Sequence, residues 1–279
     1  DHPDVCASSQ KETRFFLDEE YPSPYPITFR HDRNPIEKYF EYFVDIERRI
    51  YLEATPDYLY SSGTPNRVKA YLGNVKWIFI LREPIERLES WFHFGRQMGE
   101  LAADIGLDEY ITMQLSYSSP HPKQIFNSLQ QGRYSHYLQP FYDIFGCENV
   151  RLFSFSALER EPLELMKNVS RFIGIDDNFY VNYKFLPFNA SIPIKDVGRL
   201  EKLYRAHAVQ LYLRVYNKPL IRKFMHFFRL YLADPLYYRF RAEKAGREQI
   251  STELRERLEE YYAEELGRLG KFSENKFSW

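Results

Sequence analysis

The run "VKWIFIL", residues 75–81, passes without a break into "REPIERLESWFHFGRQM", residues 82–98. Its β-branched and aromatic side chains predict a buried strand. Pro84 suits a first helical position, which predicts a helix from there to Met98. Arg82 stands at the seam, and a charge at the end of an apolar strand is costly unless something anionic meets it. In an open parallel sheet, ligands bind beyond the carboxyl ends of strands, where the next helix presents free N–H groups. Arg87 falls one turn into the helix, and Ser90 three residues further on the same face. A guanidinium, a helix N-terminus and a hydroxyl in one small volume suit a phosphate. On spacing alone the alternative is that Arg82 pairs with Glu83, Glu86 or another surface acid.

The remaining pattern alternates. Helices are predicted over 35–44, 64–73, 135–146 and 162–175, and strands over 48–54 and 149–158. In the second helix Thr64 is placed as N-cap, Pro65 at the first helical position and Gly73 as the stop. The fourth carries Leu165, Met166, Val169, Phe172 and Ile173 at helical spacing. Strands alternating with helices imply an α/β fold with a mostly parallel sheet. "YPSPYP", 21–26, favours extended loop, and the chain from about 196 onward reads as nearly all helical. One domain spanning 1–279 is expected, with 200–245 as a helical insertion or subdomain within it.

A chain that is 44% hydrophobic and 18% aromatic can fill a core. Its formal charge of −1 excludes a globally basic nucleic-acid binder and leaves room for a local basic pocket. Cys6 and Cys147 could form one bridge at most and lack zinc or redox-dithiol spacing, so they read as buried free thiols of a reducing compartment. No two histidines lie three or four residues apart, so no helix-borne metal site is expected.

"LREPIERLES" resembles the segment that binds the 3′-phosphate in sulfotransferases using 3′-phosphoadenosine 5′-phosphosulfate (PAPS). Further resemblances follow in order. "HPDV" with "KETRFF" is similar to the start of the heparan sulfate sulfotransferase branch and its bacterial relatives. "LEATPDYLY" resembles that branch's "EK(S/T)PAYF", and Pro65 with Arg67 its "PER". The block from Gly132 to Ile175 and the terminal "FSW" resemble it as well. The resemblance implies a P-loop-like three-layer fold, a central mostly parallel sheet flanked by helices, with a largely helical C-terminal portion.

It also implies roles. Arg82 and Ser90 would hold the 3′-phosphate, with Arg87 beside them, and Glu12 would be the general base for in-line sulfuryl transfer. Arg14 would touch the acceptor or the sulfuryl group, and Tyr134 would line the cleft. Lys195 and Arg199 resemble the family's late basic loop over the nucleotide. PAPS is then the co-substrate, 3′-phosphoadenosine 5′-phosphate (PAP) the product, and no metal takes part. Ala54 stands where the branch has a lysine that contacts acidic polysaccharide, which points to a bacterial relative acting on another alcohol. The expected acceptor is a carbohydrate, lipid or secondary metabolite, in a bacterial-type cytoplasm rather than a Golgi lumen.

The branch's "K-x-G-T" phosphosulfate loop is not found, and a first strand and loop are expected to precede residue 1. The aromatic and basic stretch 203–244 reads as a packed helical subdomain or as a lid with peripheral membrane contact. Two other classes stand beside the enzyme: a binding protein on a decayed sulfotransferase fold, and a nucleotide kinase, which the lack of a Walker sequence disfavours.

Overall fold

The computed structural model describes residues 2–22, 27–45, 47–98, 100–102, 104–185, 248–272 and 279. The "HPDV" segment leads into β1 (Val5–Ala7), which pairs in parallel with β2 (Ile50–Leu52). The expected central strand forms as β3 (Trp77–Leu81) and pairs in parallel with β4 (Val150–Ser154). Among the described residues these are two separate two-stranded sheets. Register brings the carboxyl ends together within each pair, Ala7 beside Leu52 and Leu81 beside Ser154.

Helices follow the strands. Only one turn of the expected 35–44 helix forms, α1 (Glu37–Phe40). Tyr39 within it and Tyr42 and Phe43 beyond it all turn inward, and the chain closes in tight turns that bury them. α2 (Thr64–Leu72) stops at Gly73 as expected, but Gly63, not Thr64, is its N-cap. The reason is tertiary: the Thr64 hydroxyl donates to the Phe16 carbonyl at 2.9 Å, while the Gly63 N–H donates to Asp18.

α3 (Pro84–Met98) has the predicted bounds. Ile85, Leu88 and Phe92 recur along one face and are buried against α4 (Leu107–Leu115), α5 (Ser128–Gln131) and α9 (Thr252–Tyr262) in a core with Tyr110, Ile111, Leu254 and Leu258. α6 (Tyr134–Phe145) packs on β3: the Phe141 ring meets Trp77 at 4.7 Å and Phe79 at 5.0 Å, in edge-on contacts. This second core also takes in Phe15, Phe16, Leu17, Tyr58 and Leu138.

The strand expected over 149–158 ends at Ser154, whose side chain accepts the Ala157 N–H and starts α7 (Phe155–Arg160). α8 (Pro162–Ile173) follows, and α10 (Glu265–Leu269) ends the described helices. In α8 only Leu165 of the five apolar residues is fully buried; the others are half-covered. Both cysteines are free, but Cys147 is exposed, because it lies in the turn between α6 and β4 where little packs over it. Lys195, Arg199 and the stretch 200–245 lie outside the described residues, as does most of the terminal "FSW".

Candidate active site

Charged residues follow two of the parallel strands directly: Glu53 after β2 and Arg82 after β3. Around Glu53 the chain from 11 to 16 adopts an unusual path. Glu12 and Arg14 both have left-handed backbone conformations, at φ of 56° and 57°. For residues other than glycine this costs about 1–2 kcal/mol each, so other contacts must hold them there.

Those contacts come from the segment 53–61. Thr13, fully buried between the two left-handed residues, donates its N–H and its hydroxyl to Glu53 Oε1 at 3.3 and 3.0 Å. The Thr55 hydroxyl donates to the same oxygen and accepts the Arg14 N–H at 3.3 Å. The Tyr58 hydroxyl accepts the Phe16 N–H at 3.2 Å and lies 3.3 Å from the Thr13 hydroxyl. Burial pushes the Glu53 carboxyl above its usual range; bonds from Thr55 and Thr13 pull against this, and the nearby Glu12 charge adds to it.

The side chains of Glu12 and Arg14 meet in an ion pair. Arg14 Nε also reaches Asp57 at 3.4 Å, and Asp57 accepts the Tyr21 hydroxyl at 3.0 Å. Glu12 keeps part of its carboxylate toward solvent beside Lys11, 3.6 Å away. A carboxylate on a stiffened loop, flanked by a guanidinium, can accept a proton from a neighbouring nucleophile.

At the β3–α3 seam, Arg82 pairs with Glu86 at 3.2 Å, the alternative weighed from spacing, and its guanidinium lies 5.2 Å from the Phe155 ring centre at the start of α7. The Glu86 N–H is already taken by the Glu83 carboxylate at 2.7 Å, so one donor of the helix end is satisfied. Ser90 sits half-buried in the second turn of α3.

Arg87 turns away from the seam. It donates to the Ser128 carbonyl at 3.0 Å and to Gln131 Oε1 at 2.9 Å, between the rings of Tyr60 and Trp91. Tyr134 is 2% exposed, and its hydroxyl donates to the Arg82 carbonyl at 2.8 Å. It therefore braces the seam from the start of α6.

The structure thus joins Glu12 with Arg14, and Tyr134 with Arg82. Glu53, Thr13, Thr55 and Tyr58 were not singled out from sequence. A signal existed: Glu53 ends the apolar strand "RRIYLEA" just as Arg82 ends "VKWIFIL".

Comparison with known proteins identifies the family and the fold. A sulfotransferase domain model matches residues 34–186, more than half of the chain. The bifunctional heparan sulfate N-deacetylase/N-sulfotransferase 1 of Xenopus laevis is 27% identical over 148 residues, covering 50% of this chain and 16% of that protein. The membrane-associated sulfotransferase kil1 of Dictyostelium discoideum is 33% identical over 100 residues, 34% of this chain and 19% of that protein. The heparan sulfate glucosamine 3-O-sulfotransferase 3A1 of Mus musculus is 26% identical over 142 residues, 49% of this chain and 35% of that protein. The chain therefore spans about a third or less of these relatives. A crystal structure of a sulfotransferase from Alicyclobacillus acidocaldarius superposes with a TM-score of 0.62 at 18% identity, covering 97% of this chain and 85% of that one, and so shares its α/β fold. On its sequence match this chain belongs to the sulfotransferase domain family.

Proposed function

We propose that the chain transfers a sulfuryl group from PAPS to a hydroxyl of a carbohydrate, lipid or secondary metabolite. The acceptor oxygen attacks sulfur in line with the departing phosphate; the new S–O bond forms as the bond to PAP breaks, and Glu12 takes the acceptor proton. Arg14 orients that carboxylate and faces the moving group. Arg82 and Ser90 hold the 3′-phosphate, and Lys195 and Arg199 belong to the same nucleotide site. Arg87, committed to Ser128 and Gln131, ties α3 to α5 behind the seam. The observation that carries the reading is the Glu12 carboxylate, held beside Arg14 on a loop with two left-handed residues.

For Arg82 to bind a phosphate it must leave Glu86. That pair is half-exposed and unidentate, worth about 0–1 kcal/mol, and a charge-assisted contact to phosphate exceeds it.

Two variants test the reading. Glu12→Gln should abolish turnover of PAPS and leave PAP binding intact by calorimetry. Arg82→Ala should weaken PAP by about tenfold or more, the loss of one charge-assisted contact. Turnover retained in Glu12→Gln defeats the base assignment. Absence of PAP binding to the native chain favours the decayed binding protein. The relatives named as N-sulfotransferases favour a second acceptor class, an amine; acid-stable O-sulfate against acid-labile N-sulfate in the product separates the two.

A further inference from the structure

Three backbone or side-chain donors converge on one oxygen of Glu53: the Thr13 N–H, the Thr13 hydroxyl and the Thr55 hydroxyl. Thr13 is fully buried and lies between the two residues with left-handed backbone. Glu53 itself is half-buried, and a carboxylate drawn even partly out of water is a costly acceptor, so an apolar residue of the same size would cost the fold less if packing were its only task. Converging donors hold a carboxylate where a single donor would leave it free to turn.

We infer that Glu53 is the positioning residue of the site: from the end of β2 it grips Thr13, and so sets where the Glu12 carboxylate and the Arg14 guanidinium stand. Thr55 completes the grip, since its oxygen accepts the Arg14 N–H while its hydrogen goes to Glu53. The span is long in sequence, 40 residues between Thr13 and Glu53, and the β1–β2 pairing brings the two segments side by side so that Glu53 can reach the loop. Glu53 need not touch acceptor or nucleotide. The inference rests on the reading of Glu12 as base only for its catalytic consequence.

The test uses the full chain and three readouts: hydrogen exchange over residues 11–17, PAP affinity by calorimetry, and turnover of PAPS with a p-nitrophenyl glycoside as acceptor. Glu53→Ala should lose about tenfold in exchange protection at Thr13 and Arg14 and about tenfold or more in kcat, with the Kd for PAP within about twofold of native. Glu53→Gln keeps an acceptor oxygen and should restore most of both. Should Glu53→Ala not fold, Thr13→Val, which removes one of the two Thr13 donors, is expected to show a smaller loss of the same kind. Native protection and kcat in Glu53→Ala overturn the inference, as does a Glu53→Gln variant no better than Glu53→Ala. Equal losses of PAP affinity and kcat also overturn it, because they mark a general loosening. If Glu12→Gln keeps native turnover while exchange behaves as expected, the base assignment fails and the positioning of the loop stands.

Discussion

Tyr134 commits its hydroxyl to the Arg82 carbonyl, and through it the first turn of α6 is tied to the seam between β3 and α3. Burial pushes its phenol well above the ordinary range, so it stays a donor at any working pH. Tyr134→Phe keeps the ring and removes the bond, leaving a carbonyl at the seam unsatisfied. A loss of about 1 kcal/mol is expected, read as a lower urea midpoint with unchanged slope. Residue by residue, the site is built of such second partners: Glu53 behind Thr13, Asp57 behind Arg14, Tyr134 behind Arg82.

Single elements are ended by backbone chemistry. α8 stops at Gly174, which has φ of 77° and ψ of 39° and donates its N–H to the Ser170 carbonyl at 2.8 Å; the Ile175 N–H reaches the same carbonyl at 3.0 Å. A Cβ at Gly174 would meet nothing within 4 Å, so any cost of adding one is conformational. Gly174→Ala should cost about 1 kcal/mol in urea unfolding, and Gly174→Asn less, since asparagine tolerates the left-handed region better. α2 is started differently: Asp18, 45 residues upstream of Gly63, accepts that residue's N–H and pairs with Arg67 one turn into the helix.

At the scale of the whole molecule, groups at and beside that joint contribute to the response to acid. The His31 ring donates Nε2–H to the Leu17 carbonyl at 3.0 Å. Burial holds it below its ordinary 6.5, as do the charges of Arg67 and Arg30, against the opposing pull of this bond and Asp32. The unfolded chain then binds more protons than the folded one as pH falls below 6.5, so stability present above that value declines. Burial alone would raise Asp18, but bonds from Arg67, Ser61 and Gly63 hold it below 3.8; its contribution is lost as pH falls through the lowered value. Glu53 has the opposite sign, its raised carboxyl favouring the fold at low pH and costing stability as pH rises. Thermal unfolding followed from pH 8 to pH 3 should therefore show Tm falling in two stages, and His31→Gln should remove the upper one only.

Much of this was legible in the sequence. β3, the full extent of α3 and the Gly73 stop are written in residues that act on neighbours a few positions away, through periodicity, proline and glycine geometry and strand propensity; the family's order of segments was legible only by resemblance. Glu12, Arg82 and Ser90 could be named as candidates because they fall within contiguous motifs. Partner choice was another matter. That β1 pairs with β2 and β3 with β4, that Arg87 turns to Ser128 and Gln131, and that Thr64 serves Phe16 instead of its own helix were decided by the folded structure. So was the left-handed path of Glu12 and Arg14 over Glu53. Local propensity disfavours such a path, and only donors and acceptors brought from distant segments, which must be satisfied once buried, can hold it.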